Sequence, residues 1–551
     1  MKTTSWLNWL WIGIAIAVPV FTAVWAIVLS LPLPVYDYWD ILGVVQNLAA
    51  RGPDHWLRFL WEPFVDQKMV GPKLLIWGLS QLTDNRHLAL EIAFGFVMQL
   101  GVLVISVHLA QHTAGIPYRR NGFWWAFASA LLFWPFFLFR FQHHWYSTQY
   151  SLVLLPAMGA IALLANRRPS RVQVSLAALL ALIAGLSHGT GLFLWPVLGL
   201  SLMFQRRTWW AGVVWLVTSV LLIILIASQQ PSREALGFLP LSVSFQSLDV
   251  LVFFVLRCLG LSVFPLSLGI VILVLAGVAV YILARRGLLK FYRPWLIIWG
   301  WTLLAAGGSA LNRSTVLHNP SYYYSAFFIL CWIATGVLLS GVLPRNVSRS
   351  PGMIWGCWVA LVCGLSVWGL GSWKGIDYAR NFSRQINQAS LYLKSWPVVE
   401  RCRLAPLFPE PRFERSILPI LAKRQAFGLD PRPLIPLDDV GIKRQCVANG
   451  LILIPTRALT SHEMVVFSDN LLSIEALEII LHGHGMRVSR QLLHYEGQGW
   501  LVWGEYPDAI IERIELRGLS DNVEFESRVY GRKGEDPKDL VPVNLKILEP
   551  Q

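Results

Sequence analysis

The chain has 551 residues, of which 55% are apolar and only 14% charged, against about 25% charged in an ordinary soluble domain. That composition cannot clothe a soluble protein of this length, so a bilayer is the solvent for much of the chain. The net charge of +14 does not point to nucleic acid: residues 373–551 carry 23 Lys and Arg against 23 Asp and Glu, so the whole excess lies in 1–372.

The first apolar run, Trp6 to Leu31, is too long for a signal peptide and lacks a small-x-small cleavage site before Tyr36. It reads as a retained first span. Polar punctuation marks further spans at 88–111, 122–140, 149–165, 172–187, 190–205, 208–228, 262–284, 294–311, 322–343 and 352–372, about eleven in all at roughly 20 residues each. With the N-terminus cytoplasmic, the inner loops hold Arg119 and Arg120, Arg167, Arg168 and Arg171, Arg206 and Arg207, Arg285, Arg286, Lys290 and Arg293, and Arg345 and Arg349, with no acid among them. Asp37, Asp40, Asp54, Glu62, Asp66, Asp84, Glu91, Glu234 and Asp249 fall on or at the edge of the outer side. This is the Lys/Arg bias that sets orientation. Segment 249–261 is placed in the outer interface, because a full span there would invert the later loops. The 27 Trp suit rings settled at the headgroup level.

The first outer loop, 32–87, is long for a compact bundle and reads as amphipathic helices at 40–51, 55–64 and 72–82, the last with apolar Leu74, Leu75, Trp77 and Leu79. After Trp373 the composition turns soluble. Residues 376–395 and 412–427 look helical; 451–454, 464–467 and 500–503 look like strands, with a helix at 472–482. The expected architecture is an α-helical polytopic membrane domain over 1–372 and an extracytoplasmic mixed α/β domain over 373–551. Cys402 and Cys446 are alone together in that outer domain. An oxidising compartment favours a disulfide between them; the alternative is two unrelated buried thiols. Nothing has the spacing of a zinc site.

Ionisable groups near membrane depth are costly and therefore mark function. Asp37 and Asp40 follow the first span beside Tyr36, Tyr38 and Trp39. An N-cap explains one Asp, but not the pair or the rings. Lys68 and Lys73 lie on the outer side against the positive-inside bias, where they serve a phosphate-bearing lipid or snorkel to the interface. Arg140, His143 and His144 end the third span on the same side, and His188 opens the sixth. Arg313, His318 and Tyr322 belong to the loop before the tenth span, and a guanidinium fits phosphate bidentately.

An acidic motif after the first span, a long amphipathic first outer loop, many spans and an outer C-terminal domain resemble the GT-C fold of membrane glycosyltransferases that use polyprenyl-phosphate sugars. The resemblance implies Asp37 as catalytic base with Asp40 alongside. A group of bacterial membrane proteins within or near that fold carries an acid-His-Arg run followed by Pro-Arg. Asp66-Gln67-Lys68 and Pro72-Lys73 match that run in part, with Gln67 standing where the pattern has His. The family's second catalytic acid has no clear counterpart here.

The expected function is transfer of a sugar from a polyprenyl-phosphate carrier to an acceptor on the outer face of the bacterial inner membrane. Asp37 deprotonates or orients the acceptor, while Lys68, Lys73, Arg140 and Arg313 hold the leaving phosphate. Asp40 alternatively ligates a divalent cation; no cofactor is otherwise implied. The rival readings are a lipid or polysaccharide transporter or flippase, which predicts broken helices and acids near mid-membrane, and a non-catalytic envelope scaffold. No nucleotide-binding glycine loop occurs on the inner side.

Overall fold

A computed structural model describes residues 3–31, 69–83, 88–113, 121–166, 168–205, 208–227, 248–261, 266–313, 322–342 and 351–393, nine strands between 434 and 548, and positions 33–35, 38, 41, 56 and 59–62. The chain divides into two units, Met1–Ser30 with Gly52–Arg380, and Leu31–Arg51 with Asn381–Gln551.

The first unit is helical. Its helices are α1 (Thr3–Val28), α2 (Val70–Thr83), α3 (Leu88–Thr113), α4 (Asn121–Leu132), α5 (Leu138–Gln142), α6 (His144–Ala165), α7 (Arg171–Ser187), α8 (Gly189–Leu192), α9 (Leu194–Met203), α10 (Trp209–Ala227), α11 (Leu248–Leu259), α12 (Leu266–Arg285), α13 (Arg293–Arg313), α14 (Tyr322–Val342) and α15 (Pro351–Leu393). Among the described residues, seven stretches are long and apolar enough to cross a membrane: Asn8–Val28, Leu88–Thr113, Gly122–Gln142, Tyr146–Ala165, Trp209–Ile226, Leu266–Arg285 and Arg293–Leu311. Shorter apolar helices cover Arg171–Ser187, Gly189–Met203 and Phe327–Val342. Ile16, Val20, Leu221, Ile224 and Val274 are each more than half exposed, so the outward faces are as apolar as the inward ones. Only hydrocarbon solvates such a surface: this is a helical membrane protein. The boundary expected at 372/373 falls inside α15, which runs on to Leu393.

Small residues set the packing inside the bundle. Ala177, Ala181 and Ala184 recur at helical spacing on α7 and are fully buried. A Cβ on Gly95 of α3 would collide with the Ser147 hydroxyl of α6, so these two backbones meet closely, as small residues permit in a membrane. Trp residues do more than line the interface. Trp134, Trp295 and Trp301 are fully buried, and their indoles donate to the Trp368 carbonyl at 2.9 Å, the Thr113 hydroxyl at 2.7 Å and the Thr190 carbonyl at 2.9 Å.

The third span is not the continuous helix expected over 122–140. Pro135 has no N–H to continue the ladder; α4 stops at Leu132, a single 3-10 turn covers Pro135–Phe137, and α5 restarts at Leu138. The carbonyls released there are satisfied from three other helices. Trp368 of α15 donates to Ala130 at 3.0 Å, Gln99 of α3 to Leu132 at 3.2 Å, and Thr22 of α1 to Phe133 at 2.6 Å. Irregular backbone persists at membrane depth only with such partners. Pro19 of α1 creates a similar gap, and the Ser129 hydroxyl fills it by donating to the Ala15 carbonyl at 2.8 Å.

Between α1 and α3, α2 lies where a helix is expected over 72–82, with Leu74 and Trp77 exposed and Lys73 and Ile76 buried. The helix expected at 40–51 and most of that at 55–64 lie outside the described residues, as does 412–427. Beyond Leu393 the described residues are all strand: a five-stranded sheet ordered β1 (Leu434–Pro436), β8 (Glu526–Arg532), β2 (Asn449–Arg457), β3 (Ser461–Ser468), β6 (Trp500–Glu505), and a four-stranded sheet ordered β5 (Ser489–His494), β4 (Ala476–His484), β7 (Ile510–Gly518), β9 (Asn544–Leu548). The runs 451–454, 464–467 and 500–503 lie in β2, β3 and β6. The helix expected over 472–482 is replaced by β4, paired antiparallel on both sides with Leu477 opposite Leu493 and Gly518. Its alternating Leu477, Ile479 and Leu481 suit a pleat, and two flanking strands override local helix preference.

Candidate functional site

The interior is polar at one end of the helical unit. Arg140 sits on the short α5 that follows the break, and 1% of it is exposed. Its Nη2 donates to the Ser151 hydroxyl of α6 at 3.1 Å, and Ser151 donates onward to the Gly95 carbonyl of α3 at 3.2 Å. The guanidinium lies 5.3 Å from the centre of the Phe141 ring and 5.8 Å from that of Tyr150. Its buried Nε has no hydrogen-bond partner. Among the described residues no carboxylate pairs with it. A charge taken out of water costs several kcal/mol unless compensated, and aromatic faces and one hydroxyl compensate it only in part.

Further polar side chains are buried on the neighbouring helices. Glu91 of α3 is fully buried and accepts from the Thr148 hydroxyl of α6 at 3.3 Å. His143 caps α6 and stacks on Tyr146 with ring centres 4.2 Å apart; His144 begins that helix, and both are buried. Burial first, and the adjoining His144 second, hold the His143 imidazole well below its ordinary value of 6.5, so it is neutral at neutral pH. His188 caps α8. The Thr190 backbone N–H donates to its Nδ1 at 3.1 Å, which leaves the ring proton on Nε2. The His188 ring lies 5.3 Å from Tyr150, the same ring that faces Arg140.

The start of α2 closes on this layer. Met69 holds a left-handed backbone, φ 45°, which costs about 1 kcal/mol or more in a non-glycine residue. Its sulfur accepts from Gln149 Nε2 at 3.5 Å, and a Cβ on Gly71 would meet the Ser187 hydroxyl. Lys73 is buried. Its ammonium donates to the Phe59 and Glu62 carbonyls at 2.8 and 2.7 Å and lies over the Phe59 ring. That geometry ties the start of α2 back to the segment that precedes it.

Arg140, His143 and His144 are thus brought together, and Lys73 has a backbone role nearby. Asp37, Asp40, Lys68, His318, Cys402 and Cys446 lie outside the described residues. Arg313 ends α13 and Tyr322 begins α14, their side chains likewise outside. Before it ends, α13 meets Thr190 at Trp301 and Phe193 at Gly308. Glu91, Ser147, Thr148, Ser151 and Tyr150 were not among the expected site residues. Their signal is Glu91, Gly95 and Gln99 at four-residue spacing on α3 facing Ser147 and Ser151 at the same spacing on α6, a polar stripe on two apolar helices. Among the described residues no three His, Cys, Asp or Glu side chains cluster as a metal site. Compared with protein-family models, curated proteins and solved structures, the chain matches none of them.

Proposed function

We propose that the chain is a membrane glycosyltransferase that moves a sugar from a polyprenyl-phosphate carrier to an acceptor on the outer face of a bacterial inner membrane. The observation that carries this reading is the buried Arg140, without a carboxylate partner among the described residues, on a short helix that is followed directly by the buried His143 and His144. An anion relieves that uncompensated charge: at an effective dielectric of 20, opposite charges 4 Å apart attract by about 4 kcal/mol. In the reaction, Asp37 takes the proton of the acceptor hydroxyl as its oxygen bonds to the anomeric carbon. The bond from that carbon to the phosphate oxygen breaks, its electron pair stays on the phosphate, and Arg140 stabilises the charge that develops. Lys68 and Arg313 add cations at the same face. The seven long spans, the three shorter apolar helices and the first part of α15 together supply the eleven crossings of this arrangement. Its N-terminus is cytoplasmic, and its strand-rich C-terminal region is a periplasmic domain.

The test is sugar release or transfer from a radiolabelled polyprenyl-phosphate sugar by the purified full chain in lipid nanodiscs. Turnover is expected, with loss in both Asp37→Asn and Arg140→Gln. Full activity in either variant overturns the assignment of that residue, and no turnover with any such donor overturns the reaction. The break at Pro135 favours a second reading, a lipid or polysaccharide transporter, since broken spans line substrate paths. Movement of an unmodified lipid-linked sugar across liposomes without transfer distinguishes it.

A further inference from the structure

The last two turns of α3 carry two histidines. His108 and His112 stand four residues apart, and both side chains are exposed. On a helix that spacing sets the Cβ atoms about 5–6 Å apart on one face. Here the ring centres are 4.3 Å apart, with the planes tilted by 60°. The other side of the same turns is anchored. Leu109 and Ala110 are buried, and the Thr113 hydroxyl accepts from the buried Trp295 indole of α13 at 2.7 Å. The backbone that bears the two imidazoles is therefore held in place before any ligand arrives. The exposed face of α3 that leads to them is apolar, with Val97, Leu100 and Val104 at 66%, 40% and 52% exposure. Ionisable groups at the end of a face covered by lipid are costly, and that cost marks them as candidates for a ligand. Among the described residues neither ring has a hydrogen bond or an ion pair.

We propose that His108 and His112 chelate a late first-row divalent metal ion, copper(II) before nickel(II) and zinc, with water in the remaining coordination positions. Imidazole nitrogens suit these ions, whereas magnesium and calcium take oxygen ligands. The spacing of the rings narrows the geometry. A ring nitrogen binds such an ion at about 2.0–2.1 Å, which sets each ring centre about 3.2 Å from the metal. Two ligands at a right angle then have centres about 4.5 Å apart, against about 5.2 Å at the tetrahedral angle. The observed 4.3 Å lies near the right angle, which is that of tetragonal copper(II) and nickel(II). With two protein ligands the site stays open and exchangeable, unlike a closed structural zinc site. A bound ion would staple the final turns of α3, on the face opposite their tie to α13. None of this depends on the transferase reading.

Titration of the purified, untagged full chain in nanodiscs with copper(II), read by electron paramagnetic resonance, tests the proposal. The first equivalent is expected to give a tetragonal signal with two imidazole nitrogens in the plane, and excess magnesium should leave it unchanged. His108→Ala and, separately, His112→Ala should each weaken binding about ten-fold or more, since a single imidazole replaces a chelate. Both positions are exposed, so the melting temperature without metal should be unchanged in either variant. Copper(II) or nickel(II) should raise the melting temperature of the unsubstituted chain, and neither variant should show that rise. A first-equivalent signal that survives in both variants would place the metal on other histidines and overturn the site. A signal from one nitrogen, or displacement by magnesium, overturns it as well.

Discussion

Arg140 is a buried cation whose Nε has no hydrogen-bond partner and which no carboxylate pairs with among the described residues. Burying a charge without a counter-ion destabilises, and apolar replacement of such groups is often neutral or stabilising. Arg140→Met is therefore expected to hold or raise the melting temperature while abolishing transfer, the pattern of a residue kept for function. A large fall in melting temperature would instead make the guanidinium a structural partner of Ser151. His143 gives a second prediction at this scale. Its pKa is depressed in the folded chain by burial and by His144. As pH falls below about 6.5, the unfolded chain takes up a proton that the folded chain refuses. Stability present above that pH is thus lost on acidification, towards the lower folded-state value. Thermal melting across pH 5 to 8 should show the slope, and His143→Asn should flatten it; an unchanged slope would assign it to other groups.

At the scale of elements, the broken third span decides where the site lies. Pro135 ends α4 and lets α5 restart as a separate short helix, and α5 carries Arg140. The break survives because Thr22, Gln99 and Trp368 donate to the freed carbonyls. Removing one donor leaves a buried carbonyl without its bond, at a cost of about 1–3 kcal/mol. Thr22→Val, nearly isosteric, should lower the stability by about 1–3 kcal/mol, read as a fall in melting temperature, without changing the helical content read by circular dichroism. No shift would mean that the Phe133 carbonyl finds another donor. The tight approach of α3 and α6 has its own expectation. Gly95→Ala forces the added methyl onto Ser147, so it should destabilise, and the double variant with Ser147→Gly should recover most of the loss. Failure to recover would place the strain elsewhere.

At the scale of the whole molecule, the charge sorting of the short loops is the basis of the orientation proposed above. The inner-loop set includes Arg168, Arg285, Arg286, Lys290 and Arg293, while Glu91 and Asp249 fall on the opposite side. Two of these bases also bond helix ends: Arg286 donates to the Val342 carbonyl at 2.9 Å, and Arg293 donates to that of Leu164. Alkaline phosphatase, active only outside the cytoplasm, is expected to be active when fused after Leu393 and inactive when fused after Arg168. The reverse result would invert the topology and move the polar end of the bundle to the inner face.

What the sequence determined by itself was the solvent of the chain and the position of most helices, because apolar runs of membrane length leave no other fate. It also singled out Arg140, His143 and His144, since ionisable residues at the edge of apolar runs stand out by cost alone. The interruption of the third span was latent in Pro135 but unreadable, because a proline within a span can bend, break or be accommodated according to which neighbours donate. Those neighbours, Thr22, Gln99 and Trp368, lie far apart in the chain. Lys73 showed the same limit: its charge was visible, but its use on the Phe59 and Glu62 carbonyls depends on how the loop folds back. The helix expected over 472–482 gave way to a strand at Ala476–His484 because flanking strands, not local preference, supply its hydrogen bonds. Glu91, Ser151 and Tyr150 joined the site only through the close meeting of α3 with α6, which a one-dimensional string of small residues permits but does not specify.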